Sequence, residues 1–181
     1  MTGVIIVGLS APARASHQDN LPDPDNTTQC VKSPSIVPKT VIARDQGFAQ
    51  LDRTDIDTQY CTGDDIWVQD YTYGATGWYA HTICDDKTLT GRCDVYIIQF
   101  NESTYGSQSN SWLRSLGCHE FGHTGSIAHR AYANDTDNNS CMHSGISPES
   151  YDSHDIDAIN GGVEFWEAAA TLRHTAGLTA R

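Results

Sequence analysis

The stretch Cys118-His119-Glu120-Phe121-Gly122-His123-Thr124-Gly125-Ser126-Ile127-Ala128-His129 decides how the rest of this chain is read. It contains H-E-x-x-H, with a third histidine six residues beyond the second. On a helix, His119 and His123 lie one turn apart, so both imidazoles project from one face. Glu120 adjoins the first of them, where its carboxylate can reach a water on a metal rather than the metal itself. His129 cannot share that helical face. The chain must leave the helix and fold back, and Gly125 is able to adopt the left-handed cap that such a turn needs. Three neutral imidazoles with one open position make a catalytic zinc site, not a closed structural one. The chain holds 8 histidines in 181 residues. At this composition H-E-x-x-H arises by chance roughly 0.01 times, and about 0.0004 times with the third histidine at its offset. A polar surface helix with idle histidines is the bland alternative, and the coincidence of four residues argues against it. Asp135 stands as the other candidate for third ligand.

The run resembles the signature of the metzincin metallopeptidases, H-E-x-x-H-x-x-G-x-x-H followed by a methionine turn. Ser140-Cys141-Met142-His143-Ser144-Gly145 resembles that turn and lies shortly after His129. The resemblance implies that Met142 sits beneath the metal. The short His129-to-Met142 spacing, and a helix start at Ser153-His154-Asp155-Ile156-Asp157-Ala158-Ile159, are similar to matrixin-like secreted bacterial enzymes. The likeness extends over residues 60 to 160 and is strongest from 112 to 145. It implies an α+β, zincin-like catalytic domain: a twisted mixed β-sheet with an active-site helix and a C-terminal helix. It departs at one position, because the family's glycine is Ser126 here, with Gly125 one residue early. Either serine takes a positive φ, at about 1–2 kcal/mol, or the turn shifts to Gly125. The tyrosine that some metzincins carry two residues after the methionine is replaced by Ser144, so no such role carries over.

Outward from the motif, Val4 to Leu9 is a short apolar core and Ala13-Arg14-Ala15 a small-x-small cleavage site. Residues 1–15 therefore read as a truncated secretory signal, with a buried N-terminal strand as the alternative. Residues 16–39 hold four of the six prolines and read as an extended, irregular lead-in. Residues 40–181 are expected to form a single domain, with no function assigned to 161–181. An even set of six cysteines behind a signal points to a disulfide framework, for which fifteen pairings exist. The expected pairs are Cys84–Cys93 across a short loop and Cys118–Cys141, which would fasten the metal helix to the methionine turn. Cys30–Cys61 is what remains. A cysteine metal site lacks any C-x-x-C pair.

Lys39 to Gln50 is a strand or a short helix; periodicity does not decide. Asp64–Asp70 and Gly77–Ile83 alternate apolar and polar residues and read as strands joined by the turn Tyr73–Gly77. Cys93–Asn101 is the strongest strand, and the metzincin resemblance implies that it is the exposed edge flanking the cleft, to which a peptide could add. After a loop at Ser103–Ser109, a helix capped near Asn110 or Ser111 carries Trp112, Leu113, Leu116 and Phe121 toward the sheet. Ala131–Ser140 is loop-like. Its Asp135 and Asp137 could bind calcium but lack an EF-hand's glycine and terminal glutamate, and Asp64-Asp65 is no better. Ser153 is expected to cap a helix through Asn160, and Phe165–Thr175 reads as a second one. His17, His81, His143, His154 and His174 lack ligand spacing and read as surface or hydrogen-bonded residues.

A net charge of −12 with only 11 Lys and Arg leaves no basic stripe for nucleic acid or anionic membranes, and no apolar run approaches a membrane span. The expectation is a monomeric, secreted zinc endopeptidase acting on peptide or protein substrates. One zinc would be held by His119, His123 and His129, with Glu120 as general base. A catalytically inactive metzincin-like binding module and a secreted zinc-sequestering protein are the alternatives; neither needs the glutamate beside an open position.

Overall fold

A computed structural model describes residues 21–130, 139–143 and 148–163. The elements run β1 (Thr28–Lys32), α1 (Pro38–Leu51), β2 (Asp57–Tyr60), β3 (Ile66–Tyr71), β4 (Ala80–Lys87), β5 (Cys93–Asn101), α2 (Glu102–Tyr105) and α3 (Asn110–Thr124). A further helix, α4, runs from 153 to the last described residue, 163. The five strands form one mixed sheet in the order β2-β1-β3-β5-β4. All neighbours are parallel except β4 against β5.

Residues 38–51 become a helix because their buried positions, Thr40, Ala43, Gly47, Gln50 and Leu51, recur at helical spacing. Pro38 opens that helix, where a missing N–H costs nothing. The core lies between the sheet and the two long helices. Val31, Ile66, Val68, Tyr96, Ile98 and Phe100 from the strands meet Ala43, Leu51, Leu113 and Leu116 from the helices. Helix α3 is central, with ten of its fifteen residues buried, so no polar stripe marks it out. It also lies very close to α1. A Cβ on Gly117 would come within 1.8 Å of the Ala43 carbonyl oxygen.

Four expectations are corrected. Cys93–Asn101 is not an edge of the sheet: β5 is sandwiched between β3 and β4, and β4 is the edge on that side. The reason is the hairpin through Thr88–Arg92, where Thr88 N–H bonds Arg92 O at 2.9 Å and Gly91 takes φ 84°. This turn lays β4 back along the outer side of β5. The second strand of the pair begins at Ala80, not Gly77. Asn101 holds the preceding loop instead, accepting from Tyr73 N–H at 3.2 Å and donating to Gly74 O at 2.9 Å and Thr76 Oγ1 at 2.8 Å. The lead-in is not wholly irregular, because it contains β1, which lies between β2 and β3. Phe121 faces α1, over Gly47 and 6.0 Å from the Phe48 ring, rather than the sheet.

Both helix caps fall earlier in the chain than expected. Ser109 Oγ accepts from Trp112 N–H at 3.2 Å. Asp152 accepts from Asp155 N–H at 3.0 Å while its own N–H bonds Asp155 Oδ2 at 3.1 Å, a reciprocal capping box. The signal segment, Asp135, Asp137, Ser144, His17, His174 and the helix expected at Phe165–Thr175 lie outside the described residues.

The α1–α3 approach can be tested directly. Gly117→Ala is expected to destabilise the protein by about 1–3 kcal/mol through overpacking against the Ala43 carbonyl, read from the urea unfolding midpoint. An unchanged midpoint would mean the two helices are not in this close contact.

Candidate metal centre

Helix α3 supplies the first two imidazoles, and their placement follows from its period. His119 and His123 are 5% exposed and half-buried respectively, with ring centroids 4.8 Å apart. The third must arrive from beyond the helix end. There Ile127 N–H bonds Gly122 O at 3.2 Å and Ser126 N–H bonds His123 O at 3.1 Å, the two bonds of a Schellman motif. The left-handed residue of this turn is Ser126, at φ 67°, while Gly125 keeps φ −83°. Of the two possibilities the sequence leaves open, the chain adopts the strained serine. Gly125 serves a different purpose, since a Cβ there would press on Ile159 of α4 at 3.0 Å. The Ser126 hydroxyl bonds Asp23 Oδ1 at 2.6 Å and lies 3.2 Å from Leu21 O.

The turn delivers His129, and Arg130 N–H then bonds Met142 O at 2.9 Å, fixing the far side of the loop. The three Nε2 atoms converge. His119 to His129 is 2.9 Å, His123 to His129 3.2 Å and His119 to His123 3.3 Å. His119 Nδ1 bonds Cys141 O at 2.8 Å and His123 Nδ1 bonds Ile127 O at 2.8 Å. A carbonyl only accepts, so both Nδ1 atoms carry the proton and both Nε2 atoms present lone pairs. At most one proton, on His129, is available to the trio. The His119 and His123 lone pairs therefore face each other, an arrangement that is repulsive unless a cation lies between them. Protonation does not relieve it. Burial holds the His119 imidazole down at about 3 and His123 at about 4, and lowers His129 as well. A tetrahedral centre with metal–nitrogen bonds of about 2.0–2.1 Å spaces its ligand atoms about 3.3 Å apart. The trio fits such an ion.

Glu120 lies against the edge strand. It is 4% exposed, and burial raises its carboxyl to about 7 against the lowering effect of a bond from Thr82. The Thr82 hydroxyl donates to Glu120 Oε2 at 2.7 Å. Beneath the helix, Met142 is fully buried, and a Cβ on Gly122 would come within 2.3 Å of its sulfur. The Met142 N–H bonds Ser140 Oγ at 2.9 Å, and Ser140 in turn donates to Asp155 of α4. Cys118 is joined to Cys141, Cys84 to Cys93 and Cys30 to Cys61. The first of these bonds leads straight into His119 and Met142.

A second cluster of ligand-type residues, Asp152, His154 and Asp155, has a cation of its own. Arg130 pairs with Asp152, donates to His154 Nδ1 at 2.7 Å and lies 3.6 Å from Asp155 Oδ1. Asp64 and Asp65 are also engaged, by Lys32 at 2.8 Å and by Cys30 N–H at 2.7 Å. His81 packs edge-on against Trp78, and His143 is buried beside the methionine turn. Thr82, the Cys141 and Ile127 carbonyls and Asp23 carry no sequence signal of their own; only the fold brings them to the site.

No known family profile matches the chain, and no curated protein matches it in sequence. Solved structures do. A crystal structure of myroilysin aligns with TM-score 0.51 at 12% identity, covering 75% of this chain and 84% of that one. A second myroilysin structure aligns with TM-score 0.52 at 14% identity, covering 74% and 80%. At these identities the likeness establishes the fold.

The disulfide under the centre generates a prediction. Replacing both Cys118 and Cys141 by alanine is expected to cost about 3 kcal/mol of stability by releasing the loop. Because the Cys141 carbonyl orients His119, the same variant should bind zinc about 10-fold more weakly. Urea unfolding and a zinc-chelator competition measure the two effects; loss of stability with full zinc affinity would separate the bond from the centre.

Proposed function

We propose that the protein is a secreted zinc-dependent endopeptidase of the metzincin type, matrixin-like in its methionine turn. The observation that carries this reading is the convergence of three imidazole Nε2 atoms, those of His119 and His123 bearing lone pairs, beside a buried glutamate. His119, His123 and His129 would hold the ion. Zinc bound there supplies Lewis acidity, polarising a carbonyl and lowering the pKa of a coordinated water. The fold shared with myroilysin supports a peptidase. Three disulfides fit an oxidising, extracellular setting, and no described helix is long and apolar enough to cross a membrane.

The chain's own residues have distinct roles. Strand β4 is hydrogen-bonded on one side only, so an extended peptide can pair with its open side through backbone bonds. That pairing would lay a scissile carbonyl near Thr82 and hence near Glu120. Glu120 takes the proton of the attacking water and returns it to the leaving amine. A carboxyl raised to about 7 is suited to both transfers near neutral pH. The Thr82 hydroxyl holds one carboxyl oxygen and so fixes the direction in which the other points. Burial keeps His119 and His123 neutral, and the bonds from their Nδ1 atoms to carbonyls keep them oriented.

Glu120→Gln is expected to keep one zinc per chain while casein cleavage falls by about 10²–10⁴, measured by peptide release beside metal analysis. Unchanged cleavage would remove Glu120 from the role of base. Zinc in both proteins with cleavage in neither would instead favour a binding module. Thr82→Val is expected to lower kcat about 10-fold with KM little altered, since it orients the base without touching substrate side chains. A change confined to KM would place Thr82 in substrate binding.

A further inference from the structure

Ser126 is the one non-glycine residue with positive φ among the described residues, and such outliers persist only where their surroundings hold them. Beyond the local Schellman bonds, what holds this one comes from the other end of the chain. The Ser126 hydroxyl reaches Asp23, 103 residues earlier, at 2.6 Å. A carboxylate acceptor makes this a charge-assisted bond, stronger than one to a neutral oxygen. Asp23 is itself fixed. Residues 21–25 run as a strap beside β5, with Cys93 N–H bonding Asp23 O at 2.8 Å and Asp25 N–H bonding Cys93 O at 3.0 Å. The Tyr96 hydroxyl donates to Pro22 O at 2.5 Å. Cys93 is tied in turn to Cys84 on the edge strand.

We propose that Asp23 is a positioning residue for the metal centre, acting through Ser126 to hold the strained turn that delivers His129. His129 follows Ser126 closely in the chain, and the turn's far side is pinned by the Arg130–Met142 bond. The near side has the Schellman bonds and the Ser126 hydroxyl, whose short bond goes to Asp23 at 2.6 Å and whose longer contact is to Leu21 O at 3.2 Å. Without Asp23, Ser126 can relax toward negative φ, where L-residues are more stable. That rotation redirects the chain beyond it and carries the His129 nitrogen away from the other two. Glycine at 126 would take the same φ without help, so dependence on Asp23 belongs to the serine. The strap of residues 21–25 is therefore part of the metal centre, although it supplies no ligand.

This inference rests on the reading of His119, His123 and His129 as a metal site, and the test keeps the two apart. Cobalt and zinc dissociation constants are measured by spectral titration and chelator competition in wild type, Asp23→Ala, Asp23→Asn, Ser126→Gly and the double variant Asp23→Ala/Ser126→Gly. Asp23→Ala is expected to weaken both metals about 10-fold, with an altered cobalt visible spectrum. Asp23→Asn keeps a neutral acceptor and should lose about 3-fold. In the Ser126→Gly background the same Asp23→Ala change should alter affinity by less than about 2-fold. Equal affinity in wild type and both Asp23 variants would overturn the proposal while leaving the metal site standing. A 10-fold loss that persists in the glycine background would overturn it too, because Asp23 would then act without Ser126. A wild type that binds neither metal would undo the site, and this inference with it.

Discussion

Bringing three imidazole nitrogens to one point is the demand on which the rest of this structure depends. Two of them come from one helix at the cost of little more than its period. The third requires a left-handed turn, a return loop and a floor under the helix. The nitrogens repel one another through their lone pairs, and burial keeps them from gaining the protons that would ease this at neutral pH. No proton lies between His119 Nε2 and His123 Nε2 to hold that pair together. The surroundings must do so: two Nδ1–carbonyl bonds, a disulfide that joins the helix to the turn below, and the bonds on either side of His129. This is the sense in which outer partners of a metal ligand matter as much as the ligand.

The same centre must also be reachable, and the sheet topology provides for that. Because β4 folds back outside β5, the open backbone edge of the sheet runs past the helix that carries Glu120. Thr82 stands on that edge and touches the glutamate. Edge strands are hazards when left bare. Here the end of β4 bears Asp85, Asp86 and Lys87, all exposed, which discourages pairing with another copy while leaving the stretch near Thr82 open. Burial of Glu120 between strand and helix raises its proton affinity, so in the proposed function one piece of packing would serve both substrate access and acid–base chemistry.

How much of this is legible in the sequence depends on the range of the interaction. The i, i+4 histidines and the adjacent glutamate are local and periodic, and α3 places them accordingly. The strand at Cys93–Asn101 is equally plain as a strand, but its neighbours are not, because alternation reports a strand's faces and says nothing of its order in the sheet. β1 is hard to read because five residues in a proline-rich segment carry too little pattern; it is recognisable only once β2 and β3 flank it. The choice between Gly125 and Ser126 is visible only in the folded turn, where the positive φ falls on Ser126 and Gly125 packs closely against Ile159, a side chain distant in sequence. Asp23 and Thr82 are ordinary polar residues until the fold sets them against Ser126 and Glu120.

The two clusters of ligand-type residues among the described residues show what distinguishes a candidate metal centre from a salt-bridge network. Asp152, His154 and Asp155 offer an imidazole and two carboxylates within reach of one another, a donor set that suits many ions by composition alone. Their charge is already met by Arg130, whose guanidinium occupies the space an ion would need and cannot lose its proton. His119, His123 and His129 carry no charge, yet the lone pairs of His119 and His123 are turned on one another with no proton between them. The decisive property is the unmet demand for a cation, not the count of ligand atoms. Arg130 also links the two clusters physically, since its backbone closes the loop of His129 while its side chain holds the start of α4. The network that looks like a second site is thus a support for the first.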